Sequence, residues 1–482
     1  MKSFIVIIVF MIFNMPVYAG WTPAERISDE ATVYHPRIAS NGDFLHVVYS
    51  VDESGDSRIY YLRSEDSGVS WDTQLLFVDT LATFANVFPN VRTNIDTAYA
   101  LWRNSFRGGG GRNLSFRRSL DNGQTWQPVT YILSSNNYEF QKHAFCVSGR
   151  KIFVVFSHYD DDLIYEFVKS ANGGQTWSEP AEIFRADQSG SIDLIARGDT
   201  IHLVWAGRFE SGADWEVYYM KSNNAGEDWT ENFLITSDDN IHSYWPSLSI
   251  NNRGEAIICW MDYKYSPPGY TGDLFVRYSY DSGGSWTEEE QITYTHKALA
   301  PRAIWQSDSI HIAWEDHRFN QEDIFYMLSV DNGLTWGEEE RIDDEPARSE
   351  SPDLAISGEH RFIVWKDNRY DPGPGVYLSL WDPDVSINED HLLPADIGLL
   401  TAYPNPFNSK TLINYSNLEG GDIDFYDITG RLVKTLDCGG GQEGKVIWDA
   451  TDASGEKVSS GVYFARARTP QGFISTKLVY LK

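Results

Sequence analysis

One octapeptide recurs six times along this chain and constrains its fold more than any other feature. It has the form Ser-x-Asp/Asn-x-Gly-x-x-Trp and repeats every 50 to 57 residues. Self-similarity at a fixed period of this length is the signature of a repeat architecture. The closing tryptophans are Trp71, Trp126, Trp177, Trp229, Trp286 and Trp336.

Each period also contains four short runs of apolar and aromatic residues. The densest runs, at 44–49, 152–156, 201–205 and 310–314, lack strict alternation, so both faces of these strands should be buried. A shorter run precedes each of them, often after a proline, and two more flank the octapeptide. Four strands per period of about 50 residues, without helical periodicity, predict the blades of a β-propeller.

The octapeptide is the Asp-box, and residues 20–381 resemble the sialidase-like Asp-box (BNR repeat) propellers. A seventh unit after the sixth box, at 352–380, has three predicted strands and no box. The segment 21–27 resembles 336–342, and Trp21 lies 50 residues before Trp71. We therefore expect the N-terminal strand to complete the last blade and close a ring of seven. Six blades are the alternative, because enzymatic sialidases typically have six.

The third position of the box predicts a structural role. An Asp side chain can accept hydrogen bonds from its own turn, and Asn keeps these bonds but loses the charge. Because a general acid or a hard metal ligand would not tolerate that exchange, we expect neither catalysis nor a metal in the boxes, and no cofactor. The residues at this position are Asp66, Asp121, Asn172, Asn224, Asp281 and Asp331.

Strand direction predicts which face of the propeller binds a ligand. With strands A to D counted outward from the axis, the boxes are C–D turns, so the B–C and D–A loops share the opposite face. Polar residues that follow strand B are the candidates for ligand binding there. Alternatively, the Asp–Arg pairs of the repeated Trp-x-Asp-x-Arg pattern brace their own loops. The candidates are Arg103, His158, Tyr159, Arg208, Asp262, Asp316, Arg318, Asp367 and Arg369.

The resemblance also raises the question of catalysis. Sialidases of this fold clamp a carboxylate with three arginines and use a Tyr–Glu pair as nucleophile. Here the first-blade motif reads Tyr34-His35-Pro36-Arg37-Ile38, with proline before arginine, and Pro301-Arg302 repeats this order. We therefore interpret Arg37 as a repeat feature, and no Tyr–Glu pair can be assigned.

Three functions follow from these observations. We expect a propeller that binds an extracellular glycan or glycoprotein, with a sialidase-like exo-glycosidase and an adhesion or scaffold protein as alternatives. Enzymatic activity stays uncertain and is not favoured. The net charge of −30 argues against binding to nucleic acid or to an anionic membrane.

The two ends of the chain predict export. Residues 1–19 have the charge, apolar run and small-residue site of a signal peptide, and no later segment should span a membrane. Three cysteines are too few for a disulfide scaffold. After a linker at 382–401, residues 402–482 resemble the type A sorting domain of the type IX secretion system, which implies an immunoglobulin-like β-sandwich. We expect a monomer that engages this machinery and is secreted, or held on the outer membrane, in a Gram-negative bacterium.

Overall fold

The computed structural model describes two compact units, which lie within residues 20–382 and 399–481. The expected signal peptide at 1–19 and linker positions 383–398 lie outside the described residues. Shorter gaps in the description fall at 31, 54–55, 78–83, 107–111, 136–138, 161, 238, 268–270, 320, 344, 370–372, 404–406, 417, 419–421, 429, 439–442, 470–471 and 482.

Every described element of regular structure is a β-strand, which confirms the all-β prediction. In the first unit, the described strands form seven antiparallel sheets, here numbered in chain order. The unit begins with two short strands that belong to sheet 7, β1 (Gly20–Trp21) and β2 (Glu25–Arg26).

Sheets 1 to 3 have four strands each. Sheet 1 contains β3 (Val33–Asn41), β4 (Phe44–Glu53), β5 (Asp56–Ser64) and β6 (Asp72–Phe77). Sheet 2 contains β7 (Phe84–Asn94), β8 (Thr97–Phe106), β9 (Arg112–Ser119) and β10 (Thr130–Ser135). Sheet 3 contains β11 (Glu139–Ser148), β12 (Lys151–Asp160), β13 (Asp162–Ser170) and β14 (Ala181–Ala186).

Sheets 4 to 6 have the same order, with a fourth strand of only two residues. Sheet 4 contains β15 (Gln188–Arg197), β16 (Thr200–Arg208), β17 (Glu216–Ser222) and β18 (Phe233–Leu234). Sheet 5 contains β19 (Ser243–Ile250), β20 (Ala256–Asp262), β21 (Asp273–Ser279) and β22 (Glu290–Gln291). Sheet 6 contains β23 (Ala298–Gln306), β24 (Ser309–Asp316), β25 (Asp323–Ser329) and β26 (Glu340–Arg341). Sheet 7 adds β27 (Ser349–Ser357), β28 (His360–Asp367) and β29 (Gly375–Asp382) to β1 and β2.

The seven sheets form a closed ring. The first strand of each sheet contacts the first strand of the next, and β27 contacts β3. These first strands line one central cavity of about 1100 Å³. The second strands are buried on both faces, as their dense apolar sequences predicted; Val47, Leu203 and Ile312 are fully buried.

The N-terminal segment completes sheet 7. Trp21 pairs with Trp381, and the N–H of Thr22 donates to the carbonyl of Leu380 at 2.8 Å. The Trp21 ring meets Tyr326 of sheet 6 edge-on, with ring centroids 4.9 Å apart. Trp126 packs in the same way on Tyr61, at 5.0 Å, so Trp21 takes the place of a box tryptophan in the sheet that has no box.

The box turns have the hydrogen bonds that their sequence predicted. In the fifth box, Asp281 Oδ1 accepts from the Ser285 N–H at 2.8 Å, and Oδ2 accepts from the Ser285 hydroxyl at 2.7 Å. In the third box, Asn172 Oδ1 accepts from the Thr176 N–H at 3.0 Å, while its amide nitrogen donates to Thr176 Oγ1 at 2.8 Å. The amide thus holds the same turn without a charge.

The C-terminal unit has two sheets around one core. The first contains β30 (Leu399–Tyr403), β31 (Thr411–Ser416) and β34 (Glu443–Trp448). The second contains β32 (Asp422–Asp427), β33 (Leu432–Asp437), β35 (Gly461–Thr469) and β36 (Gly472–Tyr480). Ile413 of the first sheet and Phe425 of the second pack in one cluster with Trp448.

Cys146, Cys259 and Cys438 are free thiols. The described residues include no helix long and apolar enough to cross a membrane.

Candidate functional site at the channel mouth

All seven first strands carry a β-bulge near the same end of the ring. Bulges re-aim side chains and are frequent beside binding sites. The register shifts lie between Tyr34/Arg37, Val87/Asn90, Phe140/His143, Ser189/Ile192, Tyr244/Ser247, Leu299/Arg302 and Glu350/Asp353. We call this end of the cavity the channel mouth.

Five of the bulges hold a residue other than glycine in the left-handed region. This conformation costs about 1–3 kcal/mol for each residue, and such strain clusters at functional sites. A proline follows each of the five, which the sequence analysis noted only as a mark of the strand start. The residues are His35, Phe88, Trp245, Ala300 and Ser351, with φ between 50° and 57°.

The box turns lie at the opposite end of the sheets from the mouth. The N–H of Asn122, in the second box, donates to the carbonyl of Asp96 at 2.8 Å, and Asp96 lies in the turn between β7 and β8. The bulges lie at the other end of β7, near the loops that follow the second strands. This agrees with the face expected from strand direction.

One side of the mouth is positively charged, in contrast to the protein as a whole. Arg37, Arg103 and Lys142, here called the cationic sector, surround His35 together with Lys366. Burial, and then these four cations, lower the pKa of His35 to about 4. Among the described residues, no carboxylate forms an ion pair with Arg37 or Lys142.

Deeper in the channel wall, Arg37 is close to two further arginines. Burial and the charge of Arg302 lower its pKa to about 10, and Arg92 acts in the same direction. Arg302 has a carboxylate nearby, with its Nε 3.6 Å from Asp353 Oδ1. Arg37 and Arg302 each follow the proline of a bulge and both line the cavity, which is compatible with the repeat feature that the sequence indicated.

Arg103 does not itself line the described cavity, but among the sequence-predicted candidates it contacts two residues that do, Phe88 and Gln141. It lies at the end of β8, and its Nη1 donates to the carbonyl of Gln141 at 2.6 Å. Its guanidinium lies 5.0 Å from the centroid of the Phe88 ring, which stacks on His35 at 4.3 Å. A cation, an aromatic ring and an imidazole therefore form one layered wall.

The other side of the mouth, on sheets 4 and 5, presents aromatic rings. Trp245 is 40% exposed, and its ring centroid lies 5.7 Å from that of Tyr244. The ring centroid of Tyr244 lies 5.3 Å from that of Trp215. A Cβ atom at Gly190 would come within 2.9 Å of the Trp215 ring, so this bulge can hold only glycine beneath the tryptophan. We call Trp215, Tyr244 and Trp245 the aromatic platform.

One repeat position directly follows the buried aromatic residue of the second strand, and in sheets 2, 6 and 7 its side chain reaches the next sheet. The serines at this position in sheets 1 and 3 bond within their own sheets. Arg103 contacts the bulge of sheet 3 from this position. The seven residues are Ser50, Arg103, Ser157, Ala206, Met261, Glu315 and Lys366.

Sequence reasoning missed the last two members of this set. Glu315 Oε1 accepts from the N–H of Ser351, the bulged residue of sheet 7, at 2.6 Å. Lys366 Nζ lies 2.9 Å from Glu350 Oε2 and 5.0 Å from the Tyr34 ring centroid. Each is the middle residue of a Trp-x-Asp sequence. A charged residue between two buried ones was the signal that could have identified them as candidates.

The candidates in the Trp-x-Asp-x-Arg pattern stabilise their own loops by hydrogen bonds and ion pairs. Asp316 Oδ2 accepts from Trp314 Nε1 at 3.2 Å and Asp367 Oδ2 accepts from Trp365 Nε1 at 3.0 Å, while Arg318 and Arg369 pair with these aspartates. Asp262 repeats the bond to its own tryptophan, at 3.1 Å. None of these five candidates belongs to the described cavity wall.

The remaining candidates also lie away from the described cavity wall. Arg208 Nε donates to Asp187 Oδ2 at 2.8 Å. His158 is buried with its Nε2 3.1 Å from Glu166 Oε2, and Tyr159 is exposed beside it. Within the described residues, no group of three or more His, Cys, Asp or Glu side chains could hold a metal ion.

A Tyr–Glu pair does exist, but it lies outside the described lining of the cavity. The hydroxyl of Tyr49 donates to Glu30 Oε2 at 2.5 Å. Neither residue lines the described cavity, where Arg37, Arg92 and Arg302 lie. The nucleophile pair of a sialidase is therefore not assembled beside the three arginines.

The C-terminal unit matches a known family. Residues 401–481 match the family model of the secretion system C-terminal sorting domain. The C-terminal unit is a secretion sorting domain. This agrees with the type IX resemblance of its motifs and marks the chain for export to the cell surface or beyond. No curated protein matches the chain.

Solved structures similar to the chain include carbohydrate-active β-propellers. A polysaccharide lyase of family PL25, an ulvan lyase, has a TM-score of 0.50 and 13% identity over 74% of this chain and 95% of its own. A NanB sialidase from Streptococcus pneumoniae has a TM-score of 0.46 and 11% identity over 72% and 84%. An α-L-arabinanase from Penicillium chrysogenum has a TM-score of 0.44 and 13% identity over 77% and 99%. At such low identity, these likenesses concern the fold alone.

Proposed function

We propose that the first unit is a seven-bladed propeller that binds a negatively charged carbohydrate outside the cell, at its channel mouth. The observation that carries this proposal is the cationic sector, of which Arg37 and Lys142 line the same cavity as Trp245 of the aromatic platform. The protein carries a net charge of −30, so a cluster of three cations around one side of the cavity is a local exception.

The chemistry of the mouth fits such a ligand. Guanidinium and ammonium groups bind carboxylate or sulfate through charge-assisted hydrogen bonds. Aromatic side chains offer large apolar faces with little conformational entropy to lose, and these faces suit the C–H faces of sugar rings. A cavity of about 1100 Å³ has room for more than one sugar unit.

Two of the sequence-predicted functions receive less support. A sialidase-like exo-glycosidase would need a nucleophile at the mouth, and the Tyr49–Glu30 pair lies elsewhere. An adhesion or scaffold protein would bind its partner through exposed apolar surface, whereas the most distinctive surface here is a charged cavity. The sorting domain is compatible with all three functions.

The experiment is a binding measurement on the full chain with six oligosaccharides. Four are acidic, namely hyaluronan tetrasaccharide, trigalacturonate, sialyllactose and a chondroitin sulfate tetrasaccharide, and two are neutral, maltotetraose and cellotetraose. We expect at least one acidic compound to bind and the neutral ones to bind at least tenfold more weakly. Binding of none of the six would contradict the proposal and favour a protein partner.

Two substitutions place the site. Lys142→Ala and Trp245→Ala should each weaken binding about tenfold or more, since a lost charged or stacking contact costs about 1.5 kcal/mol or more. Arg185→Ala is the matched control, because this arginine lies on β14, the outermost strand of sheet 3, pairs with Glu182 and does not line the described cavity. Equal losses in Arg185→Ala and Lys142→Ala would remove the site from the mouth.

A further inference from the structure

Glu315 is a buried carboxyl group in the wall of the channel, and the proposed function gives it no role. It lies near the end of β24, pairs in register with Leu299, and is only 8% exposed. Its Oε1 accepts the Ser351 N–H across the boundary between sheets 6 and 7. For Oε2, the described residues provide no hydrogen-bond partner, and the residue borders the cavity.

The surrounding charges leave Glu315 without a cation of its own. Arg348 directly precedes β27, but its guanidinium is taken up by two other carboxylates. Its Nη2 lies 3.0 Å from Glu322 Oε1, and its Nε lies 2.7 Å from Glu350 Oε1. Lys366 of β28 binds Glu350 as well. The two nearby carboxylates therefore hold the two nearby cations.

The remaining titratable groups around this position face other partners. On its own segment, Asp316 is paired with Arg318, and His317 lies 3.8 Å from Glu322. On β23, Arg302 is directed to Asp353 of β27.

This environment favours the neutral acid. Burial is the main cause, and the negative charges of Glu350 and Glu322 add to it; together they raise the pKa of Glu315 to about 7. The hydrogen bond from Ser351 and the charge of Arg348 act in the opposite direction and are outweighed. A neutral carboxyl group is also a donor, and its O–H needs an acceptor.

We propose that Glu315 contacts the bound carbohydrate as a neutral acid and donates a hydrogen bond from Oε2 to an anionic oxygen of the ligand, so that binding takes up a proton. This inference rests on the proposed function and adds one contact to that site. An ionised Glu315 would repel a carboxylate or sulfate in the same cavity. The protonated form instead supplies a charge-assisted hydrogen bond, which is stronger than a neutral one.

The test measures proton uptake on binding, with whichever of the four acidic oligosaccharides binds most tightly. Isothermal titration at pH 7.5 in two buffers of different ionisation enthalpy gives the number of protons taken up. We expect a value between about 0.5 and 1 for the unmodified protein. Above pH 7, affinity should fall up to about tenfold per pH unit, as proton linkage requires.

Two variants separate this contact from the rest of the site. In Glu315→Gln, the amide donates at every pH, so we expect binding to persist with no proton uptake and a flat profile from pH 7 to 8.5. Glu339→Gln is the control in the same sheet, because Glu339 pairs with Arg318 outside the described cavity wall, and it should keep the proton uptake.

The possible outcomes distinguish the two proposals. Binding without proton uptake, or the same pH dependence in Glu315→Gln as in the unmodified protein, overturns the role of Glu315 and leaves the carbohydrate site intact. Failure of all four acidic oligosaccharides to bind contradicts the proposed function, and with it this inference.

Discussion

At the scale of single residues, the glycine of the second box shows how a turn of one sheet packs against a side chain of the neighbouring sheet. Gly123 has φ +82°, and a Cβ there would lie 1.7 Å from the hydroxyl of Tyr61, which is hydrogen-bonded to His46 Nδ1 at 2.6 Å. We expect Gly123→Ala to lower the free energy of unfolding by about 3 kcal/mol or more, because strain and overpacking add. Urea denaturation followed by tryptophan fluorescence measures this loss.

Gly149 provides the matched control for that substitution. It also has a positive φ, +61°, but a Cβ there would meet no atom within 4 Å. Gly149→Ala should therefore show only the backbone cost, about 1–2 kcal/mol. Equal losses in the two variants would mean that the contact with Tyr61 does not matter.

The same scale shows what a sequence can and cannot tell about the site. The exchange of Asp for Asn at Asn172 and Asn224 was enough to predict a structural box. Glu315 escaped notice because its partner, Ser351, belongs to the next sheet, so their contact exists only once the ring has assembled. Lys366 pairs with Glu350 across one hairpin, but only the register of β27 and β28 shows that the two residues are opposite each other.

At the scale of elements, the box turn is held by hydrogen bonds and needs no charge. Asp281→Asn should change the free energy of unfolding by less than about 0.5 kcal/mol at pH 7, because Asn172 holds an equivalent turn. Asp281→Ala removes the acceptors of the Ser285 N–H and hydroxyl and should cost about 2 kcal/mol. Thermal and urea denaturation of both variants test this; a large loss in Asp281→Asn would show that the charge matters.

The strands themselves were largely predictable, and the bulges were not. Dense apolar runs located the second strands, since burial on both faces leaves a direct mark on composition. The prolines after His35, Phe88 and Trp245 marked the right positions, but proline disfavours only the right-handed helical region for the residue before it. Whether that residue then becomes extended or left-handed depends on packing around the channel.

At the scale of the whole molecule, ring closure was predictable because it leaves a spacing in the sequence. Trp21 lies one period before Trp71, and the structure seats it against Tyr326 as a box tryptophan would be. The charge of the channel was not predictable from composition, since net charge sums the whole surface. A few cations directed inward are outnumbered by many acidic residues.

The ring also predicts how the protein responds to acid. Burial is the first cause that lowers the pKa values of five histidines to about 3 or 4: His35, His46, His143, His202 and His311. In the unfolded chain a histidine takes up a proton near pH 6.5, whereas these stay neutral in the folded state. The unfolded state therefore binds more protons, and stability falls as the pH drops from about 6.5 towards 4.

Buried acids with raised pKa values oppose this trend, and the two that are raised furthest are Glu315 and Asp343. Glu315 and Asp343 have pKa values raised to about 7, mainly by burial, so they bind protons in the folded state first and stabilise it as the pH falls from 7 to 4. With five histidines against two acids, we expect a net loss of up to about 4 kcal/mol in the free energy of unfolding per pH unit between pH 6 and 5.

Urea denaturation at half-unit pH steps measures that slope. Replacing His46, His202 and His311 together by Gln should reduce it to near zero, whereas Glu315→Gln should make it steeper; a slope insensitive to both changes would exclude these groups as its cause.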